Sequence, residues 1–270
     1  MDFKKIKNIA IYYFSGTGNT LFISETYNKY FLLKSKSVDL KPIENIEIVS
    51  SQGKYDMLVI AFPVHAFKAP KLVEKFINNL PSSTTKKPVL LLASCGGMPG
   101  SSFSILNKIL IKKGYYIASN FYYSMPDNVS FMFSKDLISE KEIMDKIALA
   151  KDKSFKDFTN LYSGKEEVIK SNIFKRLFSN IVFYFLSKSL KKNKWVVDYN
   201  KCIFCEICSK NCPTQNITVK KQKREVKFSD KCIMCTRCYN LCPVNAINYK
   251  SEKTKDFKRY NIFKKELISK

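Results

Sequence analysis

Eight of the nine cysteines of this 270-residue chain occur in two runs of identical spacing near its C-terminal end. Each run has the form C-x2-C-x2-C-x3-C-P, and each cysteine of the second run lies 30 positions after its counterpart in the first. Three thiolates two residues apart can wrap one iron–sulfur cubane, while the fourth, before a proline that turns the chain, reaches a second cubane. The two runs therefore predict a pair of [4Fe-4S] clusters.

The expected ligand sets cross between the runs. We predict that one cluster binds Cys202, Cys205, Cys208 and Cys242, and the other Cys232, Cys235, Cys238 and Cys212. Zinc is the competing metal, because paired C-x2-C sequences also form zinc sites. Eight cysteines in this pattern, with no histidine nearby, favour iron–sulfur clusters. Four cations near the ligands either offset cluster charge or form ordinary solvated surface: Lys201, Lys210, Lys231 and Arg237.

Residues 196–249 resemble the bacterial two-cluster ferredoxins. The match of the cysteine array is specific, and Ile217 and Ile247 keep the same 30-residue offset as the cysteines, which indicates an internal duplication. The resemblance implies a small α+β domain with pseudo-twofold symmetry that carries single electrons.

A second motif, Ser-Gly-Thr-Gly-Asn-Thr, follows an early apolar run and precedes a predicted helix. Its hydroxyls, its glycine N–H groups and the start of that helix can hold an anion without a cation. It lacks the lysine of a nucleoside-triphosphate loop and the third glycine of a dinucleotide loop. A simple tight turn is the alternative. The predicted phosphate-binding residues are Ser15, Gly16, Thr17, Gly18, Asn19 and Thr20.

Short apolar runs alternate with amphipathic segments through the first 164 residues. Strands are predicted near 8–14, 37–40, 57–62, 89–94 and 115–124, and helices over 19–33, 72–80, 101–113 and 135–161. Strands that are apolar on both faces favour a parallel sheet covered by helices on both sides. The pattern therefore predicts an α/β fold with a flavodoxin-like doubly wound sheet of order 2-1-3-4-5, whose ligand lies at the carboxyl ends of the strands.

The loop over 15–20 resembles the FMN-phosphate loop of flavodoxins position by position. The resemblance implies a flavin ring between the loops after the third and fourth strands, with contacts from Pro63, Val64, His65, Ala66, Phe67, Ser94, Cys95, Gly96 and Gly97. Flavodoxins commonly flank the ring with aromatics in these loops, where this chain has only Phe62 and Phe67. His65 either contacts the flavin or faces solvent, and Cys95 is either a buried structural thiol or a reactive thiol.

The order of these parts resembles a family of flavodoxin–ferredoxin fusion proteins of anaerobic bacteria, and the segment Met125-Pro126-Asp127-Asn128 shares the resemblance. The predicted parts are an FMN-binding domain (1–164), an amphipathic linker helix (165–194), a two-cluster ferredoxin domain (195–250) and a basic tail (251–270). The apolar face of the linker, over 172–190, either docks on a domain core or lies on a membrane surface.

The net charge of +24 can attract an acidic protein, an anionic membrane or nucleic acid, or it can simply keep the surface solvated. Basic and aromatic residues do not interleave as a platform for single-stranded nucleic acid, so we expect no nucleic-acid partner. The chain begins without a secretory signal and has no apolar stretch long enough to span a bilayer, which predicts a cytoplasmic protein.

These features predict an electron-transfer iron–sulfur flavoprotein that links one- and two-electron redox partners in anaerobic metabolism. Its basic surface predicts an acidic redox protein as partner. The first alternative is an FMN-dependent reductase of a quinone or nitro compound, fed by the clusters. The second is a membrane-associated subunit of a redox complex. The carrier is favoured; the sequence shows no acid–base pair and no nicotinamide motif to support the reductase, although flavin reductases need neither.

Overall fold

A computed structural model describes residues 1–45, 54–129, 139–169, 177, 181–182, 184, 194–249, 259 and 262. The chain divides into two compact units. The first comprises Met1–Ser15, Asn19–Pro126 and Glu140–Phe185, and the second Gly16–Gly18, Asp127–Ser139 and Leu186–Lys270.

The first unit contains a five-stranded parallel sheet in the order β2-β1-β3-β4-β5, which confirms the predicted doubly wound order. The strands are β1 (Asn8–Tyr13), β2 (Ser37–Pro42), β3 (Met57–Pro63), β4 (Pro88–Cys95) and β5 (Tyr116–Ser124). The helices are α1 (Asn19–Leu33), α2 (Lys71–Asn79), α3 (Ser102–Lys112) and α4 (Glu140–Tyr162), with a 3-10 turn at Ile43–Asn45.

Aromatic packing fixes α1 and α4 together beside the sheet. The ring of Phe158 on α4 lies 5.3 Å from that of Phe31 and 6.0 Å from that of Tyr27, both on α1. The Tyr27 hydroxyl lies 2.7 Å from that of Tyr123 on β5, which donates to Asp157 at 3.0 Å. These contacts place the start of α1, and with it the loop that follows β1, at the carboxyl edge of the sheet.

The chain stays with the first unit for a few residues beyond α4. Gly164 has a φ of 84°, and the N–H of Lys165 donates to the carbonyl of Asn160, which ends the helix in a Schellman-type turn. The following segment then reaches β5, where the N–H of Asn120 donates to the carbonyl of Glu167 at 2.8 Å. This contact partly covers an edge strand that would otherwise leave its backbone unpaired.

The second unit is built from short elements around the cysteine runs. Its strands are β6 (Trp195–Val197), β7 (Ile217–Lys220), β8 (Glu225–Phe228) and β9 (Ile247–Tyr249), and its helices are α5 (Ile207–Lys210) and α6 (Arg237–Leu241). β6 pairs with β9 and β7 with β8, both antiparallel. Trp195, Tyr239 and Tyr249 form its buried aromatic core. This is the small α+β arrangement that the sequence predicted.

Three predicted segments fall largely outside the described residues. The start of the 135–161 helix does so up to residue 138, as do most of the 172–190 helix and all of the basic tail except residues 259 and 262. Among the residues that are described, no helix is both long enough and apolar enough to cross a membrane.

Candidate functional site

The two cysteine runs share one backbone conformation. Three pairs of non-glycine residues, each pair 30 positions apart, have left-handed φ values between 51° and 64°: Phe204 and Met234, Glu206 and Thr236, and Gln215 and Asn245. Left-handed residues among right-handed ones turn successive N–H groups toward one concave side, a geometry that binds anions and recurs at iron–sulfur sites. The repeat in the sequence is therefore also a repeat of structure.

Each loop borders a cavity that four cysteines line. The first cavity, of about 390 Å³ including its open part, is lined by Cys202, Cys205, Cys208 and Cys242. The second, of about 340 Å³ measured in the same way, is lined by Cys212, Cys232, Cys235 and Cys238. The structure thus brings together, in each cavity, the crosswise set of cysteines that the sequence predicts.

The donor chemistry of both cavities fits an iron–sulfur cluster. Four thiols stand around a space whose other walls are largely apolar, with Val219 and Val226 at the first cavity and Ile217 and Phe228 at the second. Thiolates hold such clusters, and an apolar surround limits the access of water. Within the described residues, no group of three or more histidine, cysteine or carboxylate side chains forms a site for a single metal ion.

Backbone N–H groups already point at some of the ligand sulfurs. The N–H of Asn216 donates to Cys212 Sγ and that of Ala246 to Cys242 Sγ, both at 3.2 Å. These two bonds are again 30 positions apart. Each is made to the last cysteine of its run, which lines the cavity formed mainly by the other run. N–H donors stabilise negative charge on sulfur, so in a bound cluster they would favour the reduced form and raise its potential.

Burial affects the ionisation of these thiols. It raises the pKa of Cys208 and of Cys235 to about 11, and it also raises the pKa of Cys238. Each of these three thiols is therefore protonated at neutral pH in the absence of iron. Assembly of a cluster must displace those protons, which couples cluster binding to pH.

The four cations that the sequence places beside the ligands are mostly solvated. Lys201 and Lys231 are exposed, and the exposed Lys210 lies 3.2 Å from Glu206. Arg237 donates to the carbonyl of Asn211 at 3.1 Å. Arg237 is half-buried. At the three exposed lysines water screens most of the charge that a cation could direct toward a cluster.

A fifth cation, which sequence reasoning missed, is held more deeply. Arg259 is half-buried, with its guanidinium 3.9 Å from the centroid of the Tyr239 ring. It donates to the carbonyl of Tyr239 and, at 2.8 Å, to that of Ile247. Only its position in a lysine-rich tail was visible in the sequence, and nothing there marked it as different from its neighbours.

The loop between β1 and α1 is fastened by the segment that follows β5. Asn19 donates to the carbonyl of Pro126 at 2.9 Å, and the side-chain amide of Asn128 donates to the hydroxyl of Thr17. Thr20 is also engaged, with its hydroxyl 2.7 Å from that of Ser94 at the end of β4. The 125–128 segment, noted in the sequence for its resemblance alone, therefore positions this loop.

The donor set of this loop fits a phosphate group. Gly18, with a φ of 98°, leads directly into the N-terminus of the 15-residue helix α1. Backbone N–H groups at such a terminus, together with the helix dipole, favour an anion. The hydroxyls of Ser15 and Thr17 lie in the same loop. Thr20 and Asn19 hold the loop in place through these contacts, and their direct contact with phosphate stays a prediction.

The loop after β3 is a tight turn held against the loop after β4. His65 and Lys68 exchange two backbone hydrogen bonds, and Ala66 and Phe67 between them have left-handed φ values of 47° and 66°. The carbonyl of Phe67 accepts from Ser101 at 3.0 Å. Two consecutive left-handed non-glycine residues cost free energy, and such strain persists only where the surroundings fix it.

The remaining ring contacts differ in how accessible they are. Phe62 is fully buried and packs against Phe103 at 5.8 Å, so of the two aromatic candidates only the half-buried Phe67 remains. Pro63, Val64 and His65 are also half-buried, Ser94 is buried, and Gly96 and Gly97 are exposed. Cys95 is buried, donates to the carbonyl of Gly97 at 3.3 Å, and has a pKa that burial raises to about 11. These are the properties of a structural thiol.

Gly16 has a packing role that its place in a phosphate loop did not indicate. Within the second unit, a Cβ atom added to Gly16 would lie 2.5 Å from the carbonyl oxygen of Cys235. A side chain at this position therefore cannot be accommodated unless backbone moves.

We expect Gly16→Ala to destabilise the folded protein by about 1–3 kcal/mol, the usual cost of overpacking. It should also speed the loss of iron to a chelator, because the Cys235 loop must shift. Thermal unfolding and iron release measure the two effects. Gly96→Ala is the matched control, since nothing lies within 4 Å of a Cβ atom there. Equal stability and equal iron release in the two variants would contradict the packing role.

The fold and the cavities define a fusion of two modules, a flavodoxin-like α/β fold followed by an iron–sulfur domain. Residues 195–249 match the family described as "4Fe-4S dicluster domain". None of the curated proteins matches the chain.

Solved structures similar to this chain include two flavodoxins and an oxidoreductase. A flavodoxin from the domain Archaea is 14% identical with a TM-score of 0.38, covering 55% of this chain and 97% of that one. The two-electron reduced flavodoxin of Megasphaera elsdenii is 20% identical with a TM-score of 0.40, covering 54% and 98%. Rubredoxin oxygen:oxidoreductase of Desulfovibrio gigas is 14% identical with a TM-score of 0.41, covering 58% and 36%. The fold assignment rests on the strand order itself.

Proposed function

We propose that this protein carries electrons between FMN, held by the loops at the carboxyl edge of the sheet, and two [4Fe-4S] clusters held in the cysteine-lined cavities. The observation that supports this most strongly is the pair of four-cysteine cavities, each built crosswise from both runs. A flavin exchanges one or two electrons and each cluster exchanges one, so the pair links two-electron to one-electron redox partners.

The residues of the chain have distinct tasks under this proposal. The eight cysteines bind iron, and the N–H groups of Asn216 and Ala246 stabilise charge on the ligand sulfurs. The N-terminus of α1 binds the flavin phosphate without a cation. Phe67 and the glycines after β4 lie where a flavin ring would contact the protein. The protein thus contributes position and electrostatics, while the redox chemistry belongs to the cofactors.

The cytoplasm of an anaerobic cell is the setting we propose for this activity. The nine thiols are all free of disulfides, as expected in a reducing compartment. Cys205 is exposed, which would leave a cluster in the first cavity open to oxidants. Loss of the cluster absorbance within minutes in air, but not under argon, would support this setting.

Cofactor content tests the proposal. Protein reconstituted without oxygen is expected to hold about eight iron and eight sulfide per chain, as two cubanes require, together with one FMN. Riboflavin is the matched control ligand, because it has the same ring but no phosphate for the α1 terminus. We expect FMN to be retained through gel filtration and riboflavin to be lost. Full clusters with equal, weak retention of both flavins would show that the 15–20 loop does not bind phosphate.

A reductase is the second candidate, and one observation favours it. Gly96 and Gly97 are exposed with open space around them, and 63% of the Met98 surface is exposed. This exposure would let a small substrate such as a quinone approach a flavin ring. Single-turnover oxidation of the reduced protein by a quinone separates the two candidates. A rate that saturates with quinone concentration supports a reductase with a binding site, whereas a linear dependence supports the carrier.

A further inference from the structure

Equivalent residues in the two halves of the internal repeat differ in solvent exposure. Ile203 is 61% exposed and Cys205 is exposed, whereas their counterparts Ile233 and Cys235 are half-buried. Of the eight predicted ligands, Cys205 alone is exposed. The repeated sequence keeps an isoleucine and a cysteine at both places, yet only the first cavity has its ligand loop open to solvent.

We propose that residues 203–205, together with the turn between β7 and β8 (220–225), form a surface on which an acidic redox protein docks to exchange electrons with the cluster of the first cavity. The inference rests on the function proposed above, since it takes that cavity to hold a cluster. Electron transfer slows steeply with distance. The exposed Cys205, which lines the first cavity, lets a docked protein come close to it.

The turn gives this surface its charge. Four of its first five residues are cationic, in the sequence Lys-Lys-Gln-Lys-Arg, and all five are exposed. Val219 and Val226, on either side of the turn, line the first cavity, so the turn borders it. In the described part of the chain, neither Lys223 nor Arg224 forms an ion pair.

Lysines also offset the acidic residues at this surface. Glu225, at the end of the turn, lies 3.1 Å from Lys227. Glu206 lies 3.1 Å from Lys221 and 3.2 Å from Lys210. Two lysines thus oppose the single negative charge of Glu206, and the net charge around the 203–205 segment is positive. A positive surface speeds the encounter with an acidic protein and disfavours a basic one.

One cation is fixed directly beside the ligand loop. The guanidinium of Arg224 lies 5.1 Å from the centroid of the Phe204 ring, which in turn stacks on Tyr199 at 6.3 Å. An arginine stacked on a ring keeps its charge and its outward-facing donors while losing little further freedom on binding. The surface therefore combines an apolar centre at Ile203 with a prearranged cationic rim, the usual composition of a docking site.

The test measures how fast the dithionite-reduced protein is oxidised by small charged complexes. Anionic tris(oxalato)cobaltate(III) and cationic hexaamminecobalt(III) each take one electron from a reduced cluster and become cobalt(II). We expect the double variant Lys223→Glu with Arg224→Glu to slow oxidation by the anionic complex about 10-fold at low ionic strength and to speed oxidation by the cationic one. Both differences should vanish at high salt. An acidic ferredoxin serves as the protein probe and should show the same loss.

The matched control reverses two exposed lysines on α3, as Lys108→Glu with Lys112→Glu. It makes the same change in net charge, and we expect it to leave the oxidation rates close to those of the unaltered protein. Equal effects in the two double variants would overturn the docking surface. So would loss of binding to phosphatidylglycerol vesicles in the turn variant with no change in oxidation rate, which would assign the surface to a membrane.

Iron and sulfide contents, measured first, distinguish a failure of the proposed function from a failure of the docking surface. If the unaltered protein assembles no clusters, the proposed function itself fails. If the clusters assemble and are oxidised at rates that do not respond to the turn charges, only the docking surface fails.

Discussion

Replacing Cys212 and Cys235 together with alanine is expected to remove one cluster, whereas replacing Cys212 and Cys205 together is expected to remove both. Cys212 lies in the same run as Cys205, yet it lines the second cavity beside Cys235. Two substitutions in one cavity destroy one site, and substitutions in both cavities destroy two. Ligation confined within each run would give the opposite result for each double variant.

Iron and sulfide per chain, measured after anaerobic reconstitution, decide between the two patterns. Crosswise ligation predicts about four iron in the Cys212/Cys235 variant, the content of one cubane, and almost none in the Cys212/Cys205 variant. Cys95→Ala is the control, because Cys95 lies at the end of β4 and lines neither cavity. It should keep its full iron content. The reverse order of iron contents in the two double variants would refute the crosswise assignment.

The cluster cavities were predictable because their signal is local. The spacing of the cysteines fixes which thiols can reach a common centre, and the proline after Cys212 or Cys242 turns the chain toward the other run. The sheet order was predictable for a similar reason, since β1, β3 and β4 are apolar on both faces and can only be central strands.

Features that depend on contacts across long stretches of sequence could not be predicted. Gly16 fits a phosphate loop, but its contact with the Cys235 carbonyl joins positions more than two hundred residues apart. Phe62 was a plausible ring contact at the end of a strand, and only the packing of Phe103 shows that it faces the core. Local patterns carry no information about which face of a loop or strand end meets another element.

Arg259 is a further contact that local sequence patterns could not predict. The effect of its charge on the clusters can be measured. Its guanidinium donates to the carbonyls of Tyr239 and Ile247 and covers the Tyr239 ring. Burial lowers its pKa, and Tyr239, Cys242 and Cys238 are close enough to interact with its charge. Arginine nevertheless keeps its proton in proteins. A fixed positive charge therefore lies close to one predicted ligand of each cavity.

We expect Arg259→Gln to lower the reduction potential of at least one cluster, because reduction adds negative charge that the guanidinium stabilises. Arg259→Lys should lower it less, since it keeps the charge but loses the paired donors. An anaerobic titration followed by electron paramagnetic resonance measures the potentials. A shift of about 59 mV corresponds to a tenfold change in the one-electron equilibrium.

Lys231→Gln is the matched control, since it removes the same charge beside the second run at an exposed side chain. Water and salt screen that charge, so its effect should be smaller and should fade at high ionic strength, whereas the effect of Arg259 should persist. If Arg259 only stabilised the fold, a different result would be expected. Both Arg259 variants would then lower the unfolding temperature and leave the potentials unchanged, because a lost contact between the tail and α6 changes stability without changing the charge that a cluster experiences.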